Sequence, residues 1–424
     1  MKSRLLSGRA LASVGLACAV ALSSPVIVQA VVGSAAYAAD DENKVSPEMA
    51  KPLQAAQTAV KEKKYGEAMA KLREADAISK KSAYEQSVIE QLRLNAAVGS
   101  DEPGLAAKAY DYLSQNGGLQ GQLKTVYAQA IAGSYMKAKD LGSAATWYSR
   151  YFQAGGTDLA TRTALAQAYF FNNDFGNAQK ATQQAIDAYT AAGQTPTEAL
   201  YNLLANCALK QNDKKTYGAV LEQMVALYPK PDYWADLIHQ VANKPGASKL
   251  SLDVYRIQDA VGALNKTQEY MEYAELAIQA GIPGEAKTVV DKGYKAGTLG
   301  AGGEAERHGR LRTMTTAKID ADKPGLAAAE TDAGTQPNGQ ALINVGMDYY
   351  GYGQYDKAIS LIQAGIAKGG LKSPDEAKLH LGIVQLAAGK KADGQATLKS
   401  IKSGDAVNDL ARLWIIKTNS HAAG

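Results

Sequence analysis

Residues 142–152 read GSAATWYSRYF, and residues 176–186 read GNAQKATQQAI. The two stretches place Ala144 and Ala178 at equivalent positions 34 residues apart, and similar residue types recur at the same offsets around each alanine. A period of this length is typical of arrays of helical hairpins, in which each hairpin packs on the next. The spacing therefore predicts a repeated helix pair rather than one globular core.

The same phase extends along most of the chain. Each copy has a small residue near the middle of its first helix and large apolar or aromatic residues at helical spacing around it. Small residues allow two helix backbones to approach, and the large residues fill the space between hairpins. The small residues of the predicted first helices are Ala56, Ala132, Ala166, Ala205, Ala274, Gly346 and Gly382, and a looser copy covers residues 83–114.

This pattern resembles the tetratricopeptide repeat (TPR) family over most of residues 50–402. The tryptophan usual in the first helix and the closing proline are mostly missing, so the limits of individual copies are set only to within a few residues. The resemblance implies an all-α chain, an α-solenoid of antiparallel helix pairs, in which the first helices line a concave groove for a protein or peptide. Carried over, the groove positions are Gln129, Met136, Gln167, Phe170, Phe171, Asn202, Asn206, Met347 and Tyr350.

The chain is predicted to divide into regions that differ in how regularly the repeat pattern recurs. A short linker, residues 39–50, precedes an N-terminal array over 51–232. Residues 233–340 are helical but out of phase, with a break at residues 244–246 and a turn at residues 300–303, and we interpret them as irregular repeats with a hinge. Residues 341–424 form further repeats and a capping helix that includes Trp414, Ile415 and Ile416.

Residues 1–38 have the three parts of a secretory signal peptide. Lys2, Arg4 and Arg9 precede an apolar run over residues 11–22, and the small residues Ala36 and Ala38 follow. We expect cleavage after Ala38 and a periplasmic location without stable membrane insertion. Cys18 as a lipid anchor is the weaker alternative, because Gly15 stands where such an anchor usually has leucine.

The net charge expected after cleavage is too small to indicate a nucleic-acid-binding surface. The chain has 46 basic and 42 acidic residues, and three of the basic ones lie in residues 1–38, which leaves 43 − 42 = +1. Cys207 is then the remaining cysteine, so we expect no internal disulfide and a buried thiol within an apolar helix.

Catalytic and metal-binding patterns are missing from the sequence. The four histidines have no metal-ligand spacing, and we predict all of them to be solvated surface side chains. Nucleophile-elbow and phosphate-loop motifs are absent too. Periplasmic lytic enzymes of murein combine a helical array with a catalytic domain that contains a Glu-Ser pair, and this chain has no such pair. We therefore predict a non-enzymatic protein without cofactor or metal.

The sequence favours a scaffold or adaptor of the bacterial cell envelope that holds a protein or peptide partner in its groove. Two alternatives stay open: a subunit of an outer-membrane or polysaccharide-export assembly, and a relative or regulator of murein enzymes. Tyr349, Tyr350, Tyr352 and Tyr355 suggest carbohydrate stacking. Since Tyr349 and Tyr355 have core positions in the repeat, the remaining two tyrosines do not support a sugar site.

Overall fold

The structure is a computed structural model, and it describes residues 44–420. The predicted signal peptide and Cys18 lie outside these residues. The helices run in chain order as follows: α1 Pro47–Lys61, α2 Tyr65–Asp76, α3 Ala83–Gly99, α4 Pro103–Gln115, α5 Gln122–Lys137, α6 Leu141–Gln153, α7 Leu159–Phe171, α8 Phe175–Ala191, α9 Glu198–Lys210, α10 Lys214–Leu227, α11 Pro231–Ala242, α12 Ser251–Ala260, α13 Thr267–Gln279, α14 Pro283–Lys295, α15 Ala305–Asp322, α16 Leu326–Thr335, α17 Gln340–Gly351, α18 Tyr355–Lys368, α19 Pro374–Ala387, α20 Lys391–Lys399 and α21 Ala406–Asn419.

Within residues 44–420 every regular element is helical, and consecutive helices pack in pairs. Two short 3-10 turns, Ala247–Leu250 and Lys323–Gly325, interrupt the series. The prediction of an all-α chain built as an α-solenoid of helix pairs is confirmed. In the described part of the chain, no helix combines the length and the apolar character needed to cross a membrane.

Local sequence explains where the helices begin. Five helices (α1, α4, α11, α14 and α19) have proline in the first turn, where a missing backbone N–H costs nothing. Other helices begin after an aspartate whose side chain accepts a hydrogen bond from a free backbone N–H of the first turn. These capping residues are Asp140, Asp158, Asp174 and Asp405.

The small residues lie where the two helices of each hairpin cross. Ala132 and Ala144 have no exposed surface in the pair α5–α6, and the same is true of Ala166 and Ala178 in the pair α7–α8. At Gly346 a methyl group would lie 2.7 Å from Cγ1 of Ile362 on α18. The predicted role of alanine and glycine as contact points between helices is therefore confirmed in both halves of the chain.

The chain divides into two compact units, unit 1 up to Tyr217 and unit 2 from Gly218 onward, so that α10 spans the boundary. In unit 1 each hairpin packs on its sequence neighbours: α2 on α3, α4 on α5, α6 on α7 and α8 on α9. Unit 2 adds contacts between helices that are distant in sequence. There α14 packs on α17, and the last helix, α21, packs on α11 and α12 as well as on α19 and α20.

Candidate functional site

The first helices of successive hairpins contact one another on one side of unit 1. α1 touches α3, α3 touches α5, and α7 touches α9, whereas the second helices α2, α4, α6 and α8 each pack on the first helix that follows. The first helices of unit 1 therefore adjoin one another, whereas the second helices pack mainly on first helices. This adjacency is the arrangement that the predicted groove requires.

Side-chain hydrogen bonds fix the spacing of these first helices. Each bond joins a residue of one hairpin to a residue of the next, and all three are at least partly shielded from water. They join the Ser46 backbone N–H to Glu85 Oε1 at 2.8 Å, Tyr127 Oη to Asn95 Oδ1 at 2.8 Å, and Gln129 Nε2 to Thr161 Oγ1 at 2.6 Å. A partly buried hydrogen bond between helices restricts their sliding, so this face is held in one arrangement.

Glu85 joins α1 to α3 at one end of this face. Its carboxylate is 3% exposed and also accepts the backbone N–H of Ser82, which completes a capping box at the start of α3. Burial alone would raise the pKa of Glu85, but the hydrogen bonds from Ser82 and Ser46 outweigh it and hold the pKa below its usual value. The charge is therefore kept and is used to join α1 to α3.

The structure gives the predicted groove residues of α5 two different roles. Gln129 is partly buried, and its amide is bonded to Thr161 of α7, so it spaces the helices. Met136 is partly buried and packs against the hydrophobic core formed by the second to fourth hairpins.

Helix α7 carries three of the predicted groove residues. Gln167 and Phe171 are four residues apart, so they lie on one face one turn apart. Gln167 is partly exposed and Phe171 is 43% exposed. Phe170 is only 8% exposed, and its ring contacts Phe171 and Phe175 edge-to-face at 5.7 and 5.5 Å. Phe170 thus supports the exposed ring from behind instead of facing solvent.

Helix α9, which contacts α7, carries Asn202 and Asn206 at the same four-residue spacing. Both are partly exposed, and the amide of Asn206 donates to the backbone carbonyl of Asn202 at 2.7 Å. We call Gln167, Phe171, Asn202 and Asn206 the α7–α9 face. It combines three carboxamides with one exposed aromatic ring on two adjoining helices.

The two predicted groove residues of unit 2 lie in a different setting. Met347 is 3% exposed and belongs to the hydrophobic core around α17 and α18. Tyr350 is partly buried; the guanidinium of Arg256 lies 5.7 Å from the centre of its ring, and Tyr355 lies 6.0 Å away. α14 packs on α17 here, so these side chains meet other helices of unit 2. We therefore keep the predicted groove as a candidate binding face in unit 1 and not at Met347 and Tyr350.

Tyr350 belongs to a buried polar network that the sequence analysis missed. Arg256 of α12 donates through Nε and Nη2 to both oxygens of Glu285 on α14, at 2.8 and 2.7 Å, and through Nη1 to Asp253 at 2.7 Å. Tyr273 of α13 donates to Glu285 at 2.9 Å, and His380 of α19 lies 3.2 Å from Asp253. The network thus joins helices α12, α13, α14 and α19.

The charges of this network are almost fully removed from water. The side chains of Arg256, Asp253 and Glu285 are 2%, 4% and 6% exposed. Burial alone would raise the pKa of Asp253, but His380 and Arg256 hold it well below its usual range. Burial, followed by the charge of Glu285, raises the pKa of Tyr273 well above its usual value. These groups satisfy one another, which fits a role in holding helices together.

The sequence contains one signal for this network. Asp253 and Arg256 are three residues apart and share a helix face with the buried Val254 and Ile257. Charged residues on an apolar face are normally paired when the helix packs. Their partners Glu285 and His380 lie 29 and 127 residues away from them, and no local pattern indicates such distant partners.

The prediction that all the histidines are solvated is wrong for two of them. His308 is 2% exposed, and its Nδ1 accepts the backbone N–H of Gly300 at 3.0 Å, which fastens the glycine-rich turn to α15. His380 contacts Asp253 as described. His239 is exposed and lies beside Asn243, while His421 is outside the described residues. Residues 44–420 contain no group of three or more histidine, cysteine or acidic side chains arranged to hold a metal ion.

Comparisons with known proteins find remote likenesses. No protein-family model matches the chain, and no curated protein matches it. Among solved structures, the apo form of RapI is 10% identical, with 89% of this chain and 82% of that chain covered and a TM-score of 0.21. The Naa15/Naa10 structure bound to HypK-THB is 14% identical, with 85% and 65% covered and a TM-score of 0.27. The P58(IPK) TPR domain is 13% identical, with 81% and 98% covered and a TM-score of 0.20. At such identities and TM-scores the likenesses carry no argument, and the assignment as an α-solenoid rests on the helix packing described above.

Proposed function

We propose that unit 1 binds an extended segment of another protein along the inner face of its first helices, and that the chain acts as a scaffold. The observation that carries the proposal is the α7–α9 face. Carboxamides can both donate to and accept from a peptide backbone, and an adjacent aromatic ring offers apolar contact for a side chain. Because the first helices up to α7 are joined by hydrogen bonds, little ordering entropy would be lost there on binding.

The exposure of Phe171 supports the choice of this face. Large apolar side chains that are more than a third exposed are few in residues 44–420: Leu123, Phe171, Leu227 and Met314. Phe171 is the one of these that lies one turn from a carboxamide of the predicted groove, and its ring rests on the buried Phe170. Aromatic residues, including phenylalanine, are enriched in the cores of protein interfaces.

Peptide selection with the purified chain tests this proposal. Peptides selected from a displayed library are measured by calorimetry against the wild type and two variants, Phe171→Ala and Gln167→Ala. We expect Phe171→Ala to weaken binding by about tenfold, since truncating a central aromatic contact costs more than ~1 kcal/mol. Gln167→Ala removes one hydrogen bond and should weaken binding by about fivefold.

Two matched controls locate the site. Met314→Ala removes a side chain of similar exposure from α15 in unit 2, and Gln183→Ala removes an exposed carboxamide from α8. Both should bind the selected peptides like the wild type. Unchanged affinity in Phe171→Ala, or a loss confined to Met314→Ala, would refute the proposed face.

We further propose that the chain works in the bacterial cell envelope, which is the interpretation favoured by the basic start, apolar run and small residues of positions 1–38. Cell fractionation followed by mass spectrometry of the protein's N-terminus tests this. A periplasmic form beginning at Ala39 is expected. A form that retains Met1 and stays with the cytoplasm would exclude the envelope role while leaving the peptide-binding face of unit 1 untouched. Crosslinking in intact cells would then identify the partner.

A further inference from the structure

Two carboxyl groups of unit 2 lie near the C-terminal ends of α15 and α17, which are linked by a hydrogen bond. Asp322 is the last residue of α15, and its Oδ2 accepts a hydrogen bond from Tyr352 Oη at 2.7 Å. Tyr352 follows α17 directly and lies four residues after Asp348, so Asp348 and Tyr352 are on the same face, one turn apart. This arrangement places the Asp348 carboxyl near enough to Asp322 for the charge of Asp322 to act on it.

Asp348 lies in surroundings that disfavour an ionised carboxyl group. Its side chain is 7% exposed, and its Oδ1 is fully buried without a hydrogen-bond partner in the described part of the chain. Burial, followed by the charge of Asp322 and the contact with its carboxyl, raises the pKa of Asp348 from 3.8 to about 7. No basic side chain is among the groups that shift it. Two such carboxyls in contact cannot both ionise without a large cost.

The other charged and titratable groups around α17 are already engaged elsewhere. On α16, Glu330 is paired with Lys357 of α18 at 2.5 Å and with Tyr349 at 3.0 Å. On α14, Glu285 is paired with Arg256, and on α19, His380 is paired with Asp253. Tyr350 and Tyr355 contact each other beside the core, and Nδ1 of His308 on α15 is bonded to Gly300. Lys287 of α14 is paired with Asp291, and Lys378 of α19 with Asp375.

The segment that follows Asp322 buries few of its side chains. The 3-10 turn Lys323–Gly325 has no buried residue, and α16 buries only Leu326 and Ala333. α16 packs on α17 and on that turn. Repulsion at the α15–α17 contact would therefore act on a part of unit 2 with little apolar burial to oppose it.

We propose that Asp348 keeps a proton beside Asp322 at mildly acidic pH, and that loss of this proton to solvent as the pH rises toward neutral loosens the end of α15 and the following turn from α17. The pair is thus a pH-sensitive contact built into unit 2. Tyr352 keeps its hydrogen bond to Asp322 and orients that carboxylate toward Asp348. The inference concerns unit 2 alone and does not depend on the peptide-binding proposal for unit 1.

The direction of the pH effect follows from the two pKa values of Asp348. In the opened state its pKa returns to about 4, so between roughly pH 4 and pH 7 the closed contact holds a proton that the opened state has released. Stability of the contact therefore falls as the pH rises through this window. It levels off above about pH 7, where Asp348 is ionised in both states.

Hydrogen exchange measured by mass spectrometry on the whole chain tests the proposal. Peptides covering residues 316–326 and 345–352 are followed at pH 5.5 and pH 8.0, with correction for the intrinsic pH dependence of exchange. We expect the opening equilibrium of the wild type to rise by at least about tenfold between the two pH values. Asp348→Asn, whose amide cannot ionise, should show little change between them, and the histidines are identical in both proteins.

A matched carboxylate provides the control. Glu330→Gln changes an acidic residue on the adjacent α16 whose pKa is lowered, first by its hydrogen bond to Lys357, so its difference from the wild type should be the same at both pH values. Carboxyl carbon NMR of the wild type gives a second readout that needs no variant, and one aspartate should titrate near pH 7. Parallel exchange profiles for the wild type and Asp348→Asn, or aspartates that all titrate below pH 5, would overturn the proposal.

Discussion

Unit 1 and unit 2 are built from the same kind of helix pair but differ in what covers the first helices. In unit 1 the side of α7 and α9 that carries Gln167 and Asn206 keeps partly exposed carboxamides. In unit 2 the corresponding side of α17 meets α14, and Tyr350 contacts Arg256 within a buried network. The repeat pattern alone therefore does not determine whether a first-helix face remains available for a partner.

The tight turns between paired helices differ in the same way. Each has one residue with positive φ, a conformation that costs any residue with a side chain but not glycine. In unit 1 these residues are Lys63, Asp101, Lys139, Asn173 and Asn212, and in unit 2 they include Gly281, Gly353 and Gly389. Unit 1 thus accepts a small backbone strain in its turns that unit 2 avoids.

Removing the centre of the buried network should have the largest effect on stability. Arg256→Met would leave the carboxylates of Asp253 and Glu285 in the interior without their shared cation. Breaking a buried pair in this way costs about 3–5 kcal/mol. Urea denaturation followed by hydrogen exchange should show this loss in peptides from residues 251–295, because α12 and α14 are the helices joined by Arg256.

The exposed ion pair of unit 1 is the control for that substitution. Lys137 pairs with Asp101 at 3.0 Å and is 64% exposed, so Lys137→Met should change the free energy of unfolding by less than ~1 kcal/mol. Equal losses in Arg256→Met and Lys137→Met would show that the network contributes no more than a surface pair. The contrast between the two units would then reduce to their backbone turns.

The amino-acid sequence predicts contacts within a hairpin better than contacts between distant helices. Ala132, Ala166 and Gly346 are buried at helix crossings as predicted, because contacts within a hairpin repeat with the helical period. The break at residues 244–246 was also predicted, and Gly246 there has a φ of +83°. The contact of Asp253 with His380 joins residues 127 apart and leaves no periodic trace. Met347 has the spacing of a groove residue, but it is buried in a core to which helices from other hairpins contribute.

Overfilling a helix crossing in unit 1 should have an intermediate effect. Ala178 has no exposed surface and lies in α8, which packs on α7. Ala178→Leu forces a larger side chain into this contact and should lower the free energy of unfolding by ~1–3 kcal/mol, measured by urea denaturation. Gln167→Ala on the neighbouring α7 removes a partly exposed side chain and should leave stability almost unchanged. The reverse order would show that the assigned phase of the repeat is wrong.

The addition of a single methyl group at a helix crossing in unit 2 tests the same effect with a smaller change. At Gly346 one added methyl group would lie 2.7 Å from Cγ1 of Ile362 and 3.2 Å from the Ala358 carbonyl oxygen, so Gly346→Ala should destabilise by ~1–2 kcal/mol. At Gly66, in the exposed part of α2, a methyl group meets no atom within 4 Å. Gly66→Ala should instead stabilise by about 0.5–1 kcal/mol, because alanine favours helix. The same substitution is thus expected to change sign between a crossing and a free surface.

The turns give the smallest effects, and these test whether unit 1 carries strain that unit 2 avoids. Lys139 is exposed and has a φ of 59°, so Lys139→Gly should raise the free energy of unfolding by about 0.5 kcal/mol, the relief of strain being partly offset by the greater freedom of glycine in the unfolded chain. Gly353→Ala, at a φ of 74°, should lower it by about 1 kcal/mol. Lys139→Ala keeps the Cβ atom and should have almost no effect, so a gain equal to that of Lys139→Gly would assign the change to the lysine side chain and not to the backbone.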